Sequence, residues 1–181
     1  MSLLRLLARQ LLQGPVTRPP PAVEADDLLQ LADALKLETR FRLGRSLAIR
    51  EVDAGSCNGC ELELQALSGP VYDLESYGIR FVASPRHADV LLITGPVTAN
   101  MAVALHRTFV ATPGPKWVVA MGDCAHDGGC FAGSYAVLDG VRAVLPVDLD
   151  IPGCPPAPER VLAGLLALLK TVSDVCPAER S

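Results

Sequence analysis

The chain has 181 residues, 50% of them hydrophobic and only 4% aromatic, with a formal net charge of -4. That length suits one α/β domain with a tail, built on Leu, Val, Ala and Ile. Residues 1–50 carry a net +3 and residues 51–181 a net -7, and an acidic body argues against nucleic acid as a general partner.

Residues 1–13 predict a short amphipathic helix, with Leu3, Leu4, Leu7 and Leu11 in a stripe and Arg5 and Arg9 on another face. Gly14-Pro15 stops it, and Pro19-Pro20-Pro21 reads as an extended spacer. A second helix is expected over 24–37, with acidic residues gathered in its first turn. Residues 38–46 read as irregular and basic, with Arg40, Arg42 and Arg45 forming a patch for a partner or for anionic headgroups. The domain proper is expected to begin near Leu47.

Strands are expected at 47–52, 79–83, 89–94, 116–121 and 143–147. Helices are expected at 60–67, 71–77, 99–110 and 157–171, the third capped by Thr98 and the last opened by Pro158. Residues 89–94 are apolar on both faces, the mark of a fully buried parallel strand. Buried strands alternating with helices predict a doubly wound parallel sheet. The division is residues 1–46 as a helical extension for docking, 47–172 as the sheet domain and 173–181 as a loose tail.

Six cysteines need an explanation. The N-terminus has no long apolar core followed by a small-residue cleavage site, so no secretory leader is expected. No apolar run approaches the ~20 residues that span a bilayer. Cysteines in such a chain point to a reducing compartment and to metal. Cys57 and Cys60 lie in Gly55-Ser56-Cys57-Asn58-Gly59-Cys60-Glu61, after the first strand. Cys124 follows the strand at 116–121, and Cys154 lies in Pro152-Gly153-Cys154-Pro155-Pro156. Ligands in open α/β sheets sit beyond the strand C-termini. Four thiolates from three such loops suit one iron–sulfur cubane, which takes one thiolate per iron. A structural zinc site and a Cys57–Cys60 disulfide are the alternatives.

Cys130 reads as a small buried side chain and Cys176 as a bystander in the tail. His126 and Asp127 lie near the Cys124 loop, where they tune the centre or face a partner, and Arg86 and His87 are candidates for the same roles. No Gly-x-Gly-x-x-Gly follows the first strand and no Walker-type motif occurs, so independent nucleotide binding has no support. No residue of the cysteine loops reads as a proton-transfer catalyst.

The runs Cys57-Asn58-Gly59-Cys60-Glu61-Leu62-Glu63, Ser84-Pro85-Arg86-His87-Ala88-Asp89, Gly122-Asp123-Cys124 with Gly128-Gly129, and Pro152-Gly153-Cys154-Pro155-Pro156 resemble one known family. It is the small subunit of energy-converting nickel–iron hydrogenases, homologous to the 20 kDa subunit of respiratory complex I. The resemblance covers roughly residues 47–170. It implies a flavodoxin-like fold and one 4Fe-4S cluster held by Cys57, Cys60, Cys124 and Cys154, proximal to the active site of a large partner subunit. It also implies a ferredoxin-like iron–sulfur subunit and membrane-arm subunits as partners, at the cytoplasmic face of the cell membrane. Complex I members typically use two adjacent cysteines in the first motif. The two-residue gap between Cys57 and Cys60 resembles the hydrogenase and formate hydrogenlyase branch, with the quinone-reducing branch as the alternative.

Overall fold

A computed structural model describes residues 25–171. The expected helix over 1–13, the proline spacer and the tail with Cys176 lie outside the described residues. Val90–Thr94 (β3) is buried at every position and forms the middle of the sheet. It is flanked by Leu47–Asp53 (β1) and Trp117–Met121 (β4), with Ile79–Phe81 (β2) and Leu149–Ile151 (β5) outside them. All neighbours run parallel, in the order β2-β1-β3-β4-β5 among the described residues.

Parallel strands need crossovers, and the helices that make them cover both faces. Helices Ala25–Leu43 (α1), Gly59–Leu67 (α2) and Pro158–Thr171 (α5) pack on one face, where Leu35, Leu64, Leu67 and Leu165 meet Leu47, Ile49, Leu92 and Met121. Helix Ala99–Ala111 (α3) and the single turn Asp123–Asp127 (α4) cover the other, where Leu105 and Ala125 meet Val52, Leu91, Ile93 and Ala120. Alternate residues of β3 feed the two cores, as a period of two requires. No helix among the described residues is long and apolar enough to cross a membrane.

Several expectations are corrected. Residues 38–46 are not irregular, because α1 runs on to Leu43. Leu35, Thr39 and Leu43 recur at every fourth position and keep one side of the helix against the domain, with Leu35 and Thr39 fully buried. The Thr39 hydroxyl donates to the Leu35 carbonyl. Arg45 does not join a free basic patch, since its guanidinium grips Asp89 through two bonds of 2.8 and 2.6 Å. Asp89 is 8% exposed and also accepts the Ala48 N–H at 3.0 Å, which ties the entry of β1 to that of β3.

The expected strand at 143–147 is absent; the chain makes a 3-10 turn over Val141–Ala143 and forms β5 at Leu149–Ile151. Pro146 lacks the N–H that a strand there would need. Asp148 then accepts the Val118 N–H at 2.7 Å and leads the chain into β5. The helix expected over 71–77 is a 3-10 turn over Leu74–Tyr77, and the strand expected over 79–83 ends at Phe81. Thr98 stands at the α3 N-cap but makes no side-chain cap bond, because its hydroxyl donates to the Ala54 carbonyl at 3.1 Å.

Helix α1 is thus part of the packed domain. Leu35→Ala should lower unfolding stability by about 2–5 kcal/mol, the range for truncating a fully buried leucine. Denaturant unfolding of the purified chain is the measurement.

Candidate metal centre

The sheet register brings the C-terminal ends of β1, β4 and β5 to one edge. Each end is followed by a cysteine loop, and each loop is fixed by its own short bonds. Asp53, the last residue of β1, accepts the N–H groups of Gly55 and Ser56, both at 2.7 Å. Ser56 accepts the Asn58 N–H at 3.1 Å, and Asn58 takes a left-handed conformation that starts α2. Cys57 therefore lies just before α2 and Cys60 in its first turn. The loops after β4 and β5 are laced together. Gly122 N donates to Ile151 O at 2.8 Å, Asp123 N to Gly153 O at 2.9 Å, and Gly153 N to the Asp123 carboxylate at 2.8 Å. Those three bonds set the Cys124 turn against the Cys154 loop.

Two glycines are needed where they stand. Gly122 has φ 93, and a Cβ there would lie 2.8 Å from the Cys60 sulfur. Gly129 has φ 50, and a Cβ there would lie 3.0 Å from the Cys124 sulfur. Both leave the backbone against the sulfurs, where a side chain would push it away.

Cys57 and Cys154 are exposed, Cys60 is half-buried and Cys124 is buried. All four are free thiols, so the Cys57–Cys60 disulfide is not formed. Burial pushes the Cys60 thiol up to about 12, and Glu61, Cys57, Cys124 and Cys154 add to the rise. Burial likewise pushes Cys124 up to about 11, with Cys130 and Cys154 adding to it. The other three sulfurs therefore lie close enough to Cys60 to act on it. Among the described residues, no group of three or more His, Cys, Asp or Glu is arranged to hold a metal ion.

The other candidates fall in two places. His126 and Asp127 belong to α4, beside Cys124. His126 Nδ1 lies 3.1 Å from Asp150, which also pairs with Arg142. Burial opposes ionisation of Asp150, but the bonds from Arg142 and His126 outweigh it and hold its carboxyl below the usual range. Asp127 accepts the Gly129 N–H at 2.9 Å and so shapes the turn over the Cys124 sulfur. Arg86 and His87 are exposed in the 3-10 turn Pro85–His87, which leads into the N-terminal end of β3. The cysteine loops lie beyond the opposite ends of the strands.

Cys130 is exposed and not buried as expected. The positive φ of Gly128 and Gly129 turns the chain outward just before it. It stays close enough to Cys124 to help raise that thiol. Sequence reasoning also missed Asp53 and Asp123, whose carboxylates fix the loops. The available signal was an aspartate at a strand end two residues before Gly55, and another two residues past a strand end directly before Cys124.

The sequence pattern described as "NADH ubiquinone oxidoreductase, 20 Kd subunit" matches residues 57–168. The probable membrane-bound hydrogenase subunit mbhJ of Pyrococcus furiosus is 41% identical over 137 residues, 76% of this chain and 82% of that protein. Formate hydrogenlyase subunit 7 of Escherichia coli is 42% identical over 136 residues, 75% of this chain and 53% of that longer protein. An NADH-quinone oxidoreductase subunit of Heliobacterium modesticaldum is 43% identical over 140 residues, 76% of this chain and 79% of that protein. A chain in the solved structure of the membrane-bound sulfane sulfur reductase, an archaeal respiratory membrane complex, superposes with TM-score 0.65 at 33% identity, covering 77% of this chain and 76% of that one. These likenesses define the class: an iron–sulfur subunit of an oxidoreductase complex. This chain belongs to the 20 kDa subunit family of NADH–ubiquinone oxidoreductase, the family of small iron–sulfur subunits of nickel–iron hydrogenase, formate hydrogenlyase and complex I type complexes.

Raised thiol pKa values have a direct consequence for the chain without metal. An unfolded cysteine ionises near ~8.5, and the folded chain holds Cys60 and Cys124 neutral up to about 12 and about 11. That contribution to stability is full below the unfolded value and is lost as pH rises towards the folded ones. The thermal midpoint of the metal-free chain should therefore fall above roughly pH 8.5, and at neutral pH iodoacetamide should label Cys57 and Cys154 before Cys60 and Cys124. A pH series of melting curves with mass mapping of the label checks both.

Proposed function

We propose that Cys57, Cys60, Cys124 and Cys154 hold one 4Fe-4S cluster, and that the chain carries electrons to or from the active site of a hydrogenase-like large subunit in a membrane-associated complex. What supports this reading is that four free thiols sit on loops beyond the C-terminal ends of β1, β4 and β5, where Gly122 and Gly129 leave room for the Cys60 and Cys124 sulfurs. Four thiolates there would repel one another unless a positive group lay among them. A cubane gives each thiolate its own iron, so its ligands stand around a cluster and need not crowd about a single ion. When bound, the cluster supplies one-electron transfer. The chain's own contribution is to hold the corners, limit water and set the electrostatics. Backbone N–H groups near the sulfurs would raise the reduction potential.

The chain is a non-catalytic subunit of an oxidoreductase complex, and its partners follow from its surface. Leu62, Phe131, Tyr135 and Leu138 are 55%, 39%, 102% and 44% exposed, all on segments next to Cys60 or Cys124. Exposed apolar groups around a redox centre suit a docked large subunit, which would also shield the cluster from solvent. Helix α1 also turns Leu37 and Phe41 outward, 69% and 91% exposed. They support residues 1–46 as the segment that attaches to membrane-arm subunits, with the complex at the cytoplasmic face and a ferredoxin-like subunit as electron donor or acceptor. The gap between Cys57 and Cys60 favours the hydrogenase-type branch over quinone reduction. The relatives named above come from both branches at similar identity. The gene of the large subunit would decide between them: two cysteine pairs for nickel–iron mean hydrogenase.

Anaerobically purified chain should contain about four irons and four inorganic sulfides. Cys57→Ala, Cys60→Ala or Cys154→Ala should each lose most of both, and the loop edge should unfold more easily because metal binding and folding are coupled. Cys130→Ser should keep the full complement. Metal and sulfide analysis reads all four; one zinc per chain without sulfide would contradict the assignment.

A further inference from the structure

Glu61 follows Cys60 in the first turn of α2, yet it is only 9% exposed and neither of its carboxylate oxygens has a hydrogen-bond partner. A carboxylate removed from water without a partner is costly. The helix N-terminus offsets part of that cost but makes no bond to it. Glu61 lines a cleft of about 510 Å³ with Glu51, Asp53, Gln65, Leu64 and Phe81. Asp53 is already engaged by the Gly55 and Ser56 N–H groups. Glu51 is half-buried, and the adjacent Arg50 only partly offsets its charge. Burial raises its carboxyl, and Glu61 and Asp53 raise it further.

The same cleft has an open strand edge. β2 stops at Phe81, paired with Ile49, while β1 continues to Asp53. Val82 N donates to Ile49 O at 2.8 Å on the β2 side, and Ala54 N donates to Thr94 O at 3.0 Å on the β3 side. Backbone groups alternate in direction along a strand. Those of Glu51 and Asp53 therefore turn towards the side that β2 has left.

We infer that this cleft receives a basic, extended segment of the large subunit, which pairs along Glu51–Asp53 and sets an arginine or lysine against Glu61 and Glu51. This rests on the proposal that a large subunit docks at the cysteine edge. Backbone pairing gives such an insertion its register, and one cationic side chain supplies its specificity. Leu64 and Phe81 form apolar walls that suit the aliphatic stem of arginine or lysine. A hydrated divalent cation would gain nothing from those walls, since it takes oxygen ligands and keeps waters.

The test uses the assembled complex and the isolated chain. Amide hydrogen exchange should slow over residues 50–54 when the large subunit binds. Glu61→Gln and Glu51→Gln should each weaken association by about tenfold or more and flatten its salt dependence, with iron content equal to the unsubstituted chain. Unchanged exchange together with unchanged affinity in both variants would overturn the inference while leaving the large-subunit reading intact. Manganese binding to the isolated chain that Glu61→Gln abolishes would also overturn it, because the occupant would then be a metal ion. No association by the unsubstituted chain would overturn both readings.

Discussion

Four sulfurs gathered at one sheet edge repel one another as soon as they ionise, and the rest of the site is arranged around that fact. Burial and mutual repulsion hold Cys60 near 12 and Cys124 near 11 in the chain alone. The thiolate forms that a metal requires are therefore disfavoured until the metal arrives. A cationic iron–sulfur core held by the proposed ligands would reverse the sign of the interaction and tie the three loops together. The loops also have ties of their own. The Asp53 and Asp123 carboxylates pin the backbone on either side of the centre through bonds of 2.7–2.8 Å.

The sheet sets the spacing of the cysteines. β1, β4 and β5 lie in fixed register with β3 between the first two, so their C-terminal ends converge, and the bonds between the Cys124 and Cys154 loops lock the second pair together. Gly122 and Gly129 then bring backbone to within contact of Cys60 and Cys124. A methyl group at either would strike a sulfur, so the pocket's size is fixed by residues that have no side chain. Asp150 with His126 and Arg142 forms a separate ionic cluster at the end of α4. His126 beside Asp150 sets the Cys124 turn against β5, and the Arg142–Asp150 ion pair is of the kind that contributes ~0–1 kcal/mol.

Much of this was legible in the sequence. Val90–Thr94 is apolar on both faces and could only be an interior strand. Cys57, Cys124 and Cys154 each follow an apolar run, where the rule for ligands in parallel sheets puts them. Legibility failed where a side chain replaced a backbone partner or where packing outweighed local composition. β5 was misplaced because Val144, Leu145 and Val147 look more strand-like than Leu149-Asp150-Ile151, and only Pro146 spoke against them. The basic stretch after Leu37 reads as loop, but Thr39 and Leu43 continue the buried side set by Leu35, and tertiary contact kept it helical. Arg45 looked free because its partner Asp89 is 44 residues away. The isolation of Glu61 was invisible, since a glutamate in a first helical turn looks solvated until the cleft around it is known.

The central claim is that electrons pass through a centre held at this edge. Electron paramagnetic resonance of the intact complex, freeze-quenched during turnover, tests it most directly. One cubane signal per chain should be reduced and reoxidised at the turnover rate. A signal that stays unreduced while the complex turns over at full rate would contradict it.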